Sequence, residues 1–223
     1  MKKIMKKLTA LSICLSIIFS CHIVFADSKL DRMIDKKTSS PTVSIVVDQP
    51  VSGSSYCTDK RGKVGHTFLR LDDGKKTYYV GFYPKDSDAF DDKKVLCLDK
   101  AVKSKIRWND DNHDWDVAYV YKVKSKTIKS VLRRIEKLDV KKYRLQSYNC
   151  TTFAADVIKD ATDLPLPIKK TLWKVHPTIR KMAIELYGEK ANILNFIGYC
   201  PGAAGEQIRD ARITTKRFKL IND

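Results

Sequence analysis

A cysteine placed where a helix begins is chemically primed, because the unpaired backbone N–H groups and the helix dipole there favour thiolate over thiol. Cys150 has such a place. In the run from Cys150 to Ala161, the residues Phe153, Ala154, Val157, Ile158 and Ala161 recur at three- and four-residue intervals. They mark the buried face of a helix that starts at or just before the cysteine. A thiolate there is a nucleophile that needs a base or an imidazolium partner. His66, which opens a β-patterned run, is the best placed candidate. His113 sits among Asp110, Asp111, Asn112 and Asp114 in a loop, and His176 precedes Pro177 as the first residue of a helix. The competing readings make Cys150 a disulfide partner of Cys200 or an inert buried thiol, and His66 a strand residue bonded to backbone.

Other clusters carry less. Asp110, Asp111, Asp114 and Asp116 lack the glycine and terminal glutamate of a calcium loop and read as a solvated acidic loop, so no metal site is expected. The segment from Pro201 to Gly205 reads as a turn, with an anion nest as the alternative. No CxxC pair occurs among Cys57, Cys97, Cys150 and Cys200, which are separated by 40, 53 and 50 residues, so structural zinc has little support. Cys57 and Cys97 are the candidate disulfide, or else two reduced thiols.

The elements that must position these residues follow from local pattern. Thr42 to Val47 is β-branched and predicts a strand. His66 to Leu71 and Thr77 to Tyr83 flank an Asp73-Gly74 turn and predict a hairpin, with His66 near Gly81 and with Tyr79 and Tyr83 on one face. Lys85 to Ser104 reads as a charged loop, and Trp115 to Val123 as a half-buried strand. From Thr127 onward, Ile128, Val131, Leu132, Ile135 and Leu138 predict an amphipathic helix. Pro177 to Tyr187 predicts another, with proline in its first turn and Gly188 at its end. Strands followed by helices give an α+β class rather than βαβ alternation.

Length and charge bound the rest. The chain has 223 residues, 43% of them hydrophobic, which suits one folded domain with an appendage and excludes a disordered polycation. Lys2, Lys3, Lys6 and Lys7 precede an acid-free apolar run from Leu8 to Phe25, the layout of a signal peptide over residues 1–26 with cleavage before Asp27. Cys21 offers a minor alternative as a lipidation site. Residues 27–41 read as a flexible linker. The formal charge is +17, and removal of the four leader lysines leaves +13 on the exported part. A field of that size favours an anionic envelope partner. No RRM-like or helix-turn-helix signature accompanies it, so nucleic acid is not the expected partner. A plain solvated surface is the blander account of the same lysines.

Gly65-His66-Thr67-Phe68, then Tyr79 to Pro84, then Tyr148-Asn149-Cys150-Thr151-Thr152-Phe153-Ala154 together resemble the circularly permuted branch of the NlpC/P60 papain-like superfamily, which includes the lecithin-retinol-acyltransferase-like proteins. In that branch the histidine strand precedes the cysteine helix, as it does here. The resemblance covers Val64 to Pro167. It implies a papain-like antiparallel sheet packed on the cysteine helix, forming a catalytic domain over 42–167, with a helical extension at 168–223 packed on it. By position it makes Cys150 the nucleophile and His66 the base. The family's third polar residue lies on the strand after the histidine, where this chain offers only Thr77 and tyrosines, so Tyr83 or Tyr79 would take that place. The Cys150 backbone N–H would be one oxyanion donor, with Gln146 or Tyr148 as a second.

The activity expected is hydrolysis of amide bonds in the cell envelope by an exported monomer without a cofactor, with peptidoglycan peptides as one candidate substrate. The alternatives are lipid or ester acyl transfer on the same fold, a non-catalytic envelope-binding protein, and a secreted ribonuclease using His66 and His113.

Overall fold

The computed structural model describes residues 41–73, 77–86, 101–110, 114–138, 141–188, 195–211 and 219–221. The expected leader, the linker up to residue 40, Cys21, Cys97 and His113 lie outside the described residues.

Five strands form the antiparallel sheet of an α+β fold: β1 (Thr42–Asp48), β2 (His66–Asp72), β3 (Thr77–Pro84), β4 (Ser104–Arg107) and β5 (Val117–Lys122), in the order β4-β3-β2-β1-β5. A two-stranded ribbon, β6 (Thr171–Leu172) with β7 (Ile197–Gly198), stands apart from the sheet, and β8 (Lys219–Ile221) pairs with β5 at its edge. The described helices are α1 (Ser125–Leu138), α2 (Cys150–Ala161), α3 (Pro177–Tyr187) and α4 (Pro201–Asp210). None is long and apolar enough to cross a membrane.

The β-branched run of β1 makes it the central strand, buried from Val43 to Val47. Its two faces have different neighbours. On one face Leu69 and Val80 pair directly across β2 and β3, and Phe82, two residues on, stacks on Phe153 of α2 at 5.2 Å. Helix α1 buries Ile128, Val131, Leu132, Ile135 and Leu138, the stripe expected from its periodicity, and packs on α2. On the opposite face Val46, Phe68, Ala118 and Val120 form a smaller buried cluster under Tyr79 and Trp115.

Several local expectations change in three dimensions. β5 is buried on both faces from Val117 to Tyr121, not half-buried, with α4 packed against it and Tyr79 and Trp115 over the Ala118 and Val120 side. The hairpin pairs Asp72 with Thr77, so its loop is longer than a two-residue Asp-Gly turn, and Gly81 faces Phe68 instead of His66. Pro201 to Gly205 is the first half of α4 rather than a turn, with proline at the helix start, where its missing N–H costs nothing. The short strand β4 was not legible in its charged surroundings.

The disulfide joins Cys57 to Cys200, with their Cα atoms 5.7 Å apart, and this corrects both the Cys57–Cys97 pairing and the Cys150–Cys200 alternative. The physical reason is the packing of α4 against the loop after β1. A Cβ on Gly202 would lie 1.8 Å from the Tyr56 carbonyl oxygen, and the Gln49 side chain donates to the Gly202 carbonyl at 2.9 Å. That contact brings Cys200 to Cys57 across 143 residues of sequence, a separation on which spacing carries no information. The segment after residue 168 is thus fastened to the sheet by a covalent bond, by α4 against β1 and β5, and by β8. Cys150 is left as a buried free thiol.

Candidate active site

Helix α2 begins where Asn149 caps it. The Asn149 Oδ1 accepts the Thr152 N–H at 3.0 Å, and its Nδ2 donates to the carbonyls of Leu145 and Tyr199, each at 2.8 Å. One side chain therefore fixes the helix start, the loop before it and the segment leading into α4. A second anchor lies one residue past the cysteine, where Thr151 Oγ1 and Thr67 Oγ1 hydrogen-bond at 2.9 Å, tying the first turn of α2 to β2 beside His66.

These anchors bring Cys150 to His66. Both are buried, 3% and 6% exposed, so neither charge is screened by bulk water. Burial pushes the Cys150 thiol up, but the hydrogen bond and positive charge of His66, helped by the Thr67 backbone and the Thr151 side chain, outweigh it and hold the thiol below its ordinary value. Burial pushes His66 the opposite way. Hydrogen bonds to Asp110 and Cys150, and the negative charge of both, overcome that burial and raise the imidazole to about 9. At neutral pH both shifts favour a thiolate–imidazolium pair.

The group on the far nitrogen of His66 is Asp110. Its Oδ2 accepts the Nε2–H at 2.9 Å, and the residue is only 3% exposed. Nδ1 is the remaining ring nitrogen and the one available to the thiol. Tyr83 donates its hydroxyl to both Asp110 oxygens, at 2.8 and 2.7 Å, and its ring lies 4.5 Å from the imidazole, centroid to centroid. Burial and then the neighbouring Asp110 push the Tyr83 hydroxyl well above its usual range, so it stays a donor. The tyrosine expectation is corrected accordingly: Asp110, not a tyrosine, sits on Nε2, and Tyr83 hydrogen-bonds that carboxylate. Tyr79 contributes its backbone carbonyl, which accepts the Asp110 N–H at 3.0 Å.

Asp110 is not the solvated loop acid its neighbours suggested. It reaches the sheet because Gly81 has no side chain: a Cβ there would lie 1.9 Å from Asp110 Oδ2. An isolated glycine inside a strand signals such a close approach, and Gly81 was the clue in the sequence.

Tyr148 is turned to α2, where burial and Asp156 raise its hydroxyl, while Lys141 Nζ sits over its ring at 4.3 Å. Gln146 lines a recess of about 240 Å³ with Thr152, Phe196 and Tyr199 among others. Tyr143 lies beside Cys150, and burial and then the Cys150 charge push its hydroxyl well above the usual range, so it stays protonated. Tyr143 is held by paired backbone bonds to Val102 at 3.0 and 2.9 Å and by stacking on Phe82 at 5.4 Å. A tyrosine kept protonated beside a cysteine N–H is a donor pair for a developing oxyanion. Tyr143→Phe is expected to lower turnover by about 10²-fold with little change in KM, checked by steady-state kinetics.

His176 caps α3, its Nδ1 accepting the Thr178 N–H at 3.3 Å, and takes no part in this site. Among the described residues no three His, Cys, Asp or Glu side chains converge as a metal cluster. No known protein family, curated protein or solved structure matches this chain.

Proposed function

We propose that this chain is an exported papain-like thiol hydrolase of the permuted NlpC/P60 type that cleaves amide bonds in the cell envelope. The observation that carries the reading is a thiol at a helix start, bonded to an imidazole whose other nitrogen rests on a buried carboxylate. Asp110 supplies the polar partner that the strand after His66 lacks, which supports a catalytic over a purely binding role. A ribonuclease reading would need His66 free to act with a second histidine, whereas its nitrogens are engaged by Asp110 and Cys150.

In the proposed reaction the Cys150 thiolate attacks the amide carbon. A C–S bond forms and the carbonyl electron pair moves onto oxygen, which takes hydrogen bonds from the Cys150 N–H and the Tyr143 hydroxyl. Collapse of this intermediate breaks the C–N bond, and the leaving amine takes the proton from His66 Nδ1. Water then attacks the thioester, giving a proton to His66 and breaking the C–S bond. Carboxylic acid is released and the ion pair is restored. Asp110 stays ionised throughout and holds the ring.

The test is purified protein incubated in parallel with cell-wall peptides and with acyl lipids, read by mass spectrometry. Amide cleavage that is lost in Cys150→Ala is expected. Turnover of lipid alone would replace this reading with acyl transfer on the same site. No turnover of either, with Cys150→Ala complementing a deletion strain as well as wild type, would overturn the enzyme.

A further inference from the structure

The sheet face that carries His66 also holds a second recess, away from Cys150. Strand register places Tyr79, Arg70, Ser44 and Val120 directly across β3, β2, β1 and β5. The next row on that face holds Phe68, Val46 and Ala118 across β2, β1 and β5. The two rows are two residues, about 6.7 Å, apart along the strands, so their side chains form one continuous strip. Trp115 stands over it, and the enclosed volume is about 240 Å³.

The lining is built from unlike parts. Val46, Ala118 and Val120 are apolar, and Tyr79 and Trp115 are aromatic. Ser44 is fully buried, and its Oγ has no hydrogen-bond partner among the described residues. A buried hydroxyl left so costs about 1–3 kcal/mol, and a ligand oxygen would recover it. Arg70, in direct register with Ser44, is the one charged residue among the described lining residues. It gives Nη2 to Asp72 at 2.8 Å and keeps further donors on a planar fork.

We propose that this recess binds a small carboxylic acid with an apolar body, its carboxylate on Arg70 and Ser44 and its hydrocarbon or ring between Tyr79 and Trp115. A cation would meet the guanidinium, and among the described lining residues there is no acid to hold it. The flat fork of Arg70 matches the plane of a carboxylate. The volume falls below the roughly 300–1,000 Å³ of drug-sized sites, so the ligand is small. This assignment is independent of chemistry at Cys150.

The probe is 3-phenylpropionate, with 3-phenyl-1-propanol as its uncharged counterpart. Binding is measured by calorimetry, and the indole N–H signals of the three tryptophans are followed by NMR. The acid is expected to bind at least about tenfold more tightly than the alcohol and to move the Trp115 signal but not that of Trp173. Arg70→Gln is expected to lose about tenfold or more in affinity, Ser44→Ala about three- to tenfold, and Cys150→Ala nothing. No binding at millimolar acid, equal binding of acid and alcohol, or binding that leaves Trp115 unmoved would each overturn the proposal. Those outcomes are read on the unmodified protein, so they hold even where a variant fails to fold.

Discussion

Replacing Asp110 with asparagine is expected to lower turnover by about 10²- to 10⁴-fold and to pull the alkaline limb of the pH–rate profile down by more than one unit. Asparagine keeps the shape and can still accept from Nε2, so the ring stays in place. What it removes is the charge that offsets the burial of His66. The imidazole stands at about 9 because Asp110 and Cys150 raise it against that burial. The sign follows: the imidazolium that protonates the leaving amine is present below about 9 and is lost as pH rises through it. Without the carboxylate, burial wins and the imidazolium is lost at lower pH. The thiolate side moves as well, since Cys150 is held down chiefly by the His66 hydrogen bond and charge against its own burial. The acid limb therefore rises and the bell narrows from both sides. A profile of kcat/KM against pH checks this, and an unshifted alkaline limb in Asp110→Asn would show that the carboxylate does not govern His66.

Gly81→Ala is expected to give nearly the same enzymatic defect from a residue with no functional group of its own. The added Cβ would lie 1.9 Å from Asp110 Oδ2 and 2.6 Å from Tyr83 Cε2. Neither atom is the free end of a flexible chain: the carboxylate is fixed by His66 and Tyr83, and the tyrosine by the carboxylate. Either Asp110 leaves His66 or β3 bends. A displacement of about 1 Å in a catalytic array is enough to lose about 10²-fold in rate. Gly53→Ala is the matched control. Gly53 has φ +69° with nothing within 4 Å of an added Cβ, so alanine there costs about 1 kcal/mol of stability through backbone strain and leaves turnover unchanged. Thermal melts and kinetics on both variants separate a fold effect from a site effect. Equal activity of Gly81→Ala and wild type would contradict the placement of Asp110.

What was legible in the sequence was local. The stripe of α1, the start of α2 at Cys150 and the proline-to-glycine span of α3 follow from period and end chemistry within a dozen residues, and each is where the pattern put it. His66 stands at the head of a strand, and the Thr67–Thr151 bond shows why that place meets the helix start. The missing pieces all come from closure of the chain over long distances. Asp110 follows β4, a short strand in a charged segment, and meets His66 from 44 residues away. Tyr143 is an aromatic in a lysine- and arginine-rich stretch, held by Val102 across a bridge that no local pattern encodes. The Cys57–Cys200 bond depends on α4 packing against the loop after β1. Gly81 is the exception: a lone glycine amid the aromatic residues of β3 marked the point where another group approaches.

The central claim is that Cys150 is a thiolate paired with His66 at neutral pH. The most direct measurement is the rate of iodoacetamide alkylation of Cys150 from pH 4 to 10, read by mass spectrometry on intact protein, with His66→Ala beside it. An ordinary thiol with a pKa of about 8.5 is only about 0.3% thiolate at pH 6. The account predicts a plateau that begins below pH 8, and a rate at pH 6 clearly above that of His66→Ala, in which burial of the thiol is no longer opposed by the imidazole. A wild-type rate that climbs through pH 8 to 9 as a free thiol does, unchanged by His66→Ala, would contradict it.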